Sequence, residues 1–238
     1  MSKVIINCIK SFKKTNIYKF IILYLILGAF IFTINRSEYS YLELVIHAFG
    51  HPFVMSIFLI PSISFTVYFV HDKYLFNYNY FLRLSRRKNI AKSNLIMLFL
   101  IIMDYLITFL IFIFIFTNFF ANRNEFFGID NYYKISNVIM LIYYFIKNFV
   151  FLYIIGMLSL LFKKKYHIIF IAFLVLICSS FLGYIPNKII RFFPSYYVTS
   201  YHLFYKFYQD VIYSVLYLVI NCLLTVILFF KRWNSDLQ

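Results

Sequence analysis

Glycine and proline are scarce. Five Gly and four Pro in 238 residues leave little room for flexible linkers or low-complexity tails, and no repeat of the solenoid kind is present. Cys8, Cys178 and Cys222 are an odd number with no pair at metal-binding spacing, so no disulfide framework is implied. They read as small apolar packing residues. Signatures of chemistry are missing as well. There is no G-x-S-x-G nucleophile, no H-E-x-x-H pair and no GxxxxGK phosphate loop, and no two of Gly28, Gly50, Gly128, Gly156 and Gly183 sit close together. His47 and His51 are four apart and could share a helical face, yet beyond Glu43 no third metal ligand lies nearby. Cys178 and a histidine could in principle supply a nucleophile and a base, but Cys178 falls mid-span, where a neutral thiol is favoured. These absences argue against catalysis and nucleotide hydrolysis by this chain.

Charge is thin, at 13% of residues, and one-sided, with 23 Lys and Arg against eight Asp and Glu for a formal +15. Hydrophobic residues make up 63%. A soluble domain of this size has no core large enough to hide that much apolar surface, whereas a bilayer does. About twenty apolar residues cross the ~30 Å hydrocarbon core as a helix. Six segments qualify: roughly Ile17–Ile34, Pro52–Val70, Leu95–Phe120, Asn137–Phe162, His167–Ile185 and Val211–Phe230. Their runs are continuous rather than alternating, which predicts an all-α membrane protein. The first span follows Lys13, Lys14 and Lys19 as a signal peptide would, but Ile34-Asn35-Arg36 is a poor cleavage site, so the segment reads as a retained helix.

Orientation follows from Lys and Arg. Lys3, Lys10, Lys13, Lys14 and Lys19 precede or open span one. The second loop carries Lys73, Arg83, Arg86, Arg87, Lys88 and Lys92, the fourth Lys163, Lys164 and Lys165, and the tail Lys231 and Arg232. That places sixteen cations on one side; the alternate loops hold six, Arg36, Arg123, Lys134, Lys188, Arg191 and Lys206. Both termini are expected to be cytosolic.

Three connecting regions stand out. Residues 1–16 contain KVIINCIKSFKKTN, in which Ile5, Ile9 and Phe12 line one face of an amphipathic helix. Such Lys-rich helices lie flat in the interface, where each cation near anionic lipid contributes ~1 kcal/mol. The cytosolic loop from His71 to Asn94 holds the cationic knot YFLRLSRRKNIAKSN. It is longer than the two to eight residues that a simple helix connection needs. The segment DKYLFNYNYFLRLSRRK could form a short helix outside the bilayer, with Leu75, Tyr78 or Asn79, and Leu82 on one face, a docking surface for a soluble partner. Nucleic acid is not that partner, since the loop offers no groove-reading element. The outer loop Pro186 to Asp210 is rich in aromatics, among them Tyr196, Tyr197, Tyr201 and Phe204. It reads either as an aromatic belt or as a short helix dipping back to roof a pathway.

Two charges fall within spans. Asp104 is the tenth residue of span three and Lys147 the eleventh of span four, each about 15 Å deep at 1.5 Å per residue. A lone charge there costs ~2.5–3.5 kcal/mol. The expectation is therefore that Asp104 and Lys147 pair across the two spans, either fixing helix register or lining a route. Asn118, Asn148 and Asn221 are further buried polar candidates, expected as interhelical hydrogen bonds.

The whole layout resembles the ABC-2 type permeases, the membrane subunits of ATP-driven bacterial exporters. The likeness is carried by the basic elbow KVIINCIKSFKKTN, by six spans with both ends inside, by a second loop opening at His71-Asp72-Lys73 and closing with Arg83-Leu84-Ser85-Arg86 and Lys92, and by the aromatic loop around Pro194. It implies a plasma-membrane protein whose second loop is a coupling helix fitting a cleft in a separate ATPase. Asp72, Lys73, Leu75 and Phe76 fall in its first half, and Leu82, Arg83, Arg86, Arg87 and Lys88 in its second. It further implies a re-entrant outer helix, a second six-span subunit as partner, and ATP and Mg bound by the partner ATPase rather than by this chain. The cargo would be amphipathic: a peptide, toxin or lipid-like molecule. Two other readings are a substrate-capture subunit of a small-molecule importer and a membrane-embedded peptide-processing enzyme.

Overall fold

The computed structural model describes residues 2–34, 41–51, 54–70, 87–120, 137–161 and 207–235. Every element among them is helical. In chain order these are α1 (Ser2–Lys13), α2 (Asn16–Ile34), α3 (Tyr41–Gly50), a π-helical turn (Val54–Leu59) running into α4 (Ile60–Val70), α5 (Arg87–Phe120), α6 (Asn137–Leu160) and α7 (Phe207–Ser235). Among the described residues α2, α5 and α6 are long and apolar enough to cross a membrane, with mean hydropathies of 2.3, 2.8 and 2.1. Ile57–Val70 and Leu218–Lys231 are apolar but shorter. The expected span at 167–185 and the aromatic outer-loop residues Tyr196, Tyr197, Tyr201 and Phe204 lie outside the described residues.

The helix directions can be read from contacts along α5. Tyr18 near the start of α2 lies against Tyr105, with ring centroids 6.2 Å apart, and Phe30 near its end touches Phe116 and Phe120 at 5.4 and 5.8 Å. Helices α2 and α5 are therefore parallel, and α2 runs beside only the second half of α5. α6 is antiparallel to α5: Phe99 meets Phe149 at 4.9 Å, and Phe49 of α3 touches both Phe109 and Phe145. Gly156 lets these two helices close up, since a Cβ there would come within 2.7 Å of the Leu98 side chain.

The core is apolar and continuous, from Leu25 through Leu44, Met55 and Ile60 to Ile102 and Phe109, each at most 1% exposed. The opposite faces are apolar too. On α7 the residues Leu216, Ile220, Leu223 and Ile227 are 54–61% exposed at helical spacing, while Leu218 and Phe229 are buried. An outward stripe of this kind has no favourable solvent except lipid. The chain is membrane-embedded.

Two features depart from the expected spans. The connection after span one contains α3, whose side chains at Leu42, Leu44, Val45, Ile46, Ala48 and Phe49 are all buried. At ten residues it is too short to cross, and it inserts among α5, α6 and α2 instead. The span expected at 52–70 is not one continuous α-helix but changes pitch at its middle. Pro61 supplies the reason. It has no N–H to give to the carbonyl of Ile57 four residues back. Tyr24 of α2 fills the gap, its hydroxyl donating to the Ile57 carbonyl oxygen at 2.6 Å. Beside this junction Gly28 admits the Phe58 ring, which would lie 2.5 Å from a Cβ at that position. Tyr24→Phe removes the donor without changing shape, and we expect it to lower stability by about 1–3 kcal/mol. An unchanged unfolding midpoint in detergent would contradict this account of the junction.

Candidate functional site

Helix α1 is amphipathic as the sequence predicts, with Ile5 and Phe12 each 3% exposed, but that face is turned toward the protein. It packs on α5 and α2 rather than dipping into acyl chains. Thr15 then ends one helix and starts the next: its hydroxyl donates to the Phe12 carbonyl at 2.7 Å and accepts from the Tyr18 amide at 3.3 Å. This is an N-cap for α2.

The cap places Lys13 and Tyr18 on either side of the same carboxylate. Lys13 Nζ lies 2.6 Å from Asp104 Oδ1, and the Tyr18 hydroxyl donates to Asp104 Oδ2 at 2.6 Å. The ammonium also sits 5.6 Å from the Tyr18 ring centroid, and Phe12 meets that ring edge-on at 5.5 Å. A second hydrogen-bonded pair lies beside it, with the Tyr105 ring 6.2 Å from that of Tyr18. The Thr66 hydroxyl gives its one proton to the Ser62 carbonyl at 2.8 Å, so at the 2.7 Å contact between Thr66 and Tyr105 it is the Tyr105 hydroxyl that donates. Four elements, α1, α2, α4 and α5, thus meet at two adjacent polar clusters joined by the Tyr18–Tyr105 ring contact. Lys13 and Asp104 keep 41% and 25% side-chain exposure, so the ion pair has access to water. For such a pair the attraction alone contributes about 1 kcal/mol or less, and its larger effect is to fix where α1 sits.

The expected Asp104–Lys147 pair is therefore corrected: both oxygens of Asp104 are taken by α1 and α2. The physical reason is the direction each side chain faces rather than its depth. The segment 87–94, read from sequence as part of the cytosolic loop, is the helical beginning of α5, and Arg87 and Lys88 lie in its first turn. Asp104 is consequently level with Tyr18 at the beginning of α2, not halfway along it. The two charges do lie at a similar height, because Phe99 and Phe149 pair on one side of them and Phe109 and Phe145 share Phe49 on the other. They face different neighbours. Lys147 is 2% exposed, with its ammonium 5.5 Å from the ring centroids of both Tyr143 and Tyr144. A desolvated cation over aromatic faces gains about 2 kcal/mol, and here two rings on its own helix contribute.

Of the three asparagines, Asn148 makes the interhelical bond expected of it: its side-chain amide donates to the Phe49 carbonyl at 2.6 Å. Asn118 bonds the Phe114 carbonyl of its own helix at 3.0 Å. His47 ends up buried in α3, while His51 follows that helix with its ring 5.4 Å from that of Phe32. A buried polar seam between α5 and α6 went unread in the sequence. Asn94 and Ser159 each lie one turn beyond the Leu98–Gly156 contact, on the faces that meet, and both are fully buried with side-chain polar atoms lacking hydrogen-bond partners. Helical spacing from Gly156 could have found Ser159; nothing in the sequence marks Asn94, which sits among the cations of the knot.

The coupling-loop positions Asp72, Lys73, Leu75, Phe76, Leu82, Arg83 and Arg86 lie outside the described residues. Compared with known proteins, the chain matches no family model, no curated protein and no solved structure.

Proposed function

We propose that this chain is the membrane-spanning permease subunit of an ATP-binding cassette exporter of the ABC-2 type. In this reading it has six spans with both termini cytosolic in a bacterial plasma membrane. It pairs with a second six-span subunit, and a separate ATPase holds the ATP and Mg. The cargo is an amphipathic peptide, toxin or lipid-like molecule.

One observation supports the reading above others. Asp104, on the helix that directly follows the basic loop, is held by Lys13 of α1 and Tyr18 of α2, and the adjoining Tyr105 is bonded to Thr66 of α4. A displacement delivered at the Arg87 end of α5 therefore carries α1, α2 and α4 with it. That is what a half-transporter needs if an engine attached to the loop is to rock its helices together. The change of pitch where the π-helical turn runs into α4, beside Pro61, supplies a place for the motion to be absorbed. In this mechanism the residues of the chain bind and move, and all bond-breaking belongs to the partner.

Purification of the tagged chain from its native membrane tests this. A polypeptide carrying GxxxxGK[ST] should co-purify in stoichiometric amount and hydrolyse ATP. Isolation of the chain alone, or with a tightly held small molecule and no ATPase, would contradict the proposal.

A further inference from the structure

We propose that α1 is a fixed shelf that binds the anionic headgroups of membrane phospholipids through Lys10, Lys14 and Lys19. This inference does not depend on the transporter reading, only on α2 crossing lipid.

A free amphipathic helix at a membrane surface sinks its apolar face among acyl chains. Here that face is used up. Ile5 and Phe12 are buried against the bundle, with Cys8 and Ile9 packed beside them. The opposite side, at Asn7, Lys10, Ser11 and Lys14, is exposed. Lys10 is exposed on α1, and Lys14, the residue that follows the helix, is exposed as well. Lys13 is not part of this surface, because its ammonium is held by Asp104, which also occupies the acid beside α1. Lys19, exposed one turn into α2, extends the cationic strip.

The height of the strip selects its occupant. Only Lys14 and Thr15 separate α1 from α2, and α2 is apolar from Ile17 onward. Lys14 and Lys19 therefore flank the point at which the chain enters hydrocarbon, the depth of lipid phosphates. The ion pair and the Thr15 cap hold α1 in place, so the lysines are presented without a cost in helix ordering. Contact is electrostatic and made from the side, and anionic phospholipid is the partner whose charge and position complement it.

Native mass spectrometry of the full chain, taken from nanodiscs of phosphatidylcholine with or without phosphatidylglycerol, reads the binding. Wild-type protein should retain phosphatidylglycerol over phosphatidylcholine, and the preference should weaken with salt. Each lysine should account for about a fivefold share of it, the effect of one cation near an anionic surface. The triple variant Lys10→Gln, Lys14→Gln, Lys19→Gln should lose the preference, and the corresponding triple replacement by Arg should keep it. A glutamine triple that still selects phosphatidylglycerol, or wild-type protein with no preference, overturns the proposal. So would displacement of the lipid by inorganic phosphate, which would indicate a site for the bare anion.

Discussion

Leu75→Asp, Phe76→Asp or Arg83→Asp should each abolish ATP-dependent export while leaving the chain inserted in the membrane. The first two positions are apolar residues of the segment DKYLFNYNYFLRLSRRK that the permease reading uses as anchors, and Arg83 opens its closing cluster of cations. A carboxylate forced into an apolar cleft on the ATPase must be desolvated without a partner. Loss of one anchor of a small interface costs about 2 kcal/mol, roughly thirtyfold in affinity. Because a segment so rich in cations is expected to stay outside the lipid core, insertion and expression should be unaffected. Export assayed in vesicles with added ATP, alongside the amount of variant in the membrane fraction, checks the prediction. Export retained at the wild-type rate would sever the loop from any engine.

Asp104→Lys should undock α1. The substitution replaces the acceptor of both Lys13 and Tyr18 with a cation facing a cation, at a site one quarter exposed. Beyond losing the 2.6 Å ion pair, the Tyr18 hydroxyl is left without its acceptor, so the expected loss of stability is about 1–3 kcal/mol. Trypsin should then cut after Lys10 and Lys14 faster than in the wild type. The reversed pair, Asp104→Lys with Lys13→Asp, should recover part of the stability and of the protection. In a double-mutant cycle on Lys13→Met and Asp104→Leu the coupling should fall in the range of about 0.5–3 kcal/mol. Additive effects would mean that the contact does not hold α1 in place.

How far the sequence reaches can be judged element by element. Hydropathy placed α2 and α6 almost residue for residue, because their ends coincide with the ends of apolar runs. It placed α5 too late, at Leu95. The helix begins at Arg87, and Ala91, Ser93 and Asn94 are buried against neighbours that a one-dimensional profile does not contain. That offset does not explain the misassigned partner of Asp104, which lies at the height of Lys147 but faces other neighbours. Counting along the spans placed the carboxylate level with Lys147, as it is, but could not show that it faces Lys13 and Tyr18 while Lys147 faces Tyr143 and Tyr144. The need for a cation was legible; which cation depended on the faces that α5 and α6 turn to their neighbours. The short run YLELVIHAFG is too short for a span, so hydropathy does not mark it, and its burial as α3 depends on α5 and α6, against which it packs. Pro61 was visible throughout, but the hydroxyl of Tyr24 that meets the orphaned carbonyl comes from another helix.

Cysteine labelling at Phe76 tests most directly whether the basic bend after α4 faces the inside of the cell and grips an ATPase. In a chain with Cys8, Cys178 and Cys222 replaced by serine, Phe76→Cys should react with a membrane-impermeant maleimide in inside-out vesicles only. Stripping the ATPase from those vesicles should increase the labelling. Reaction in right-side-out vesicles, or labelling indifferent to the ATPase, would contradict the permease reading.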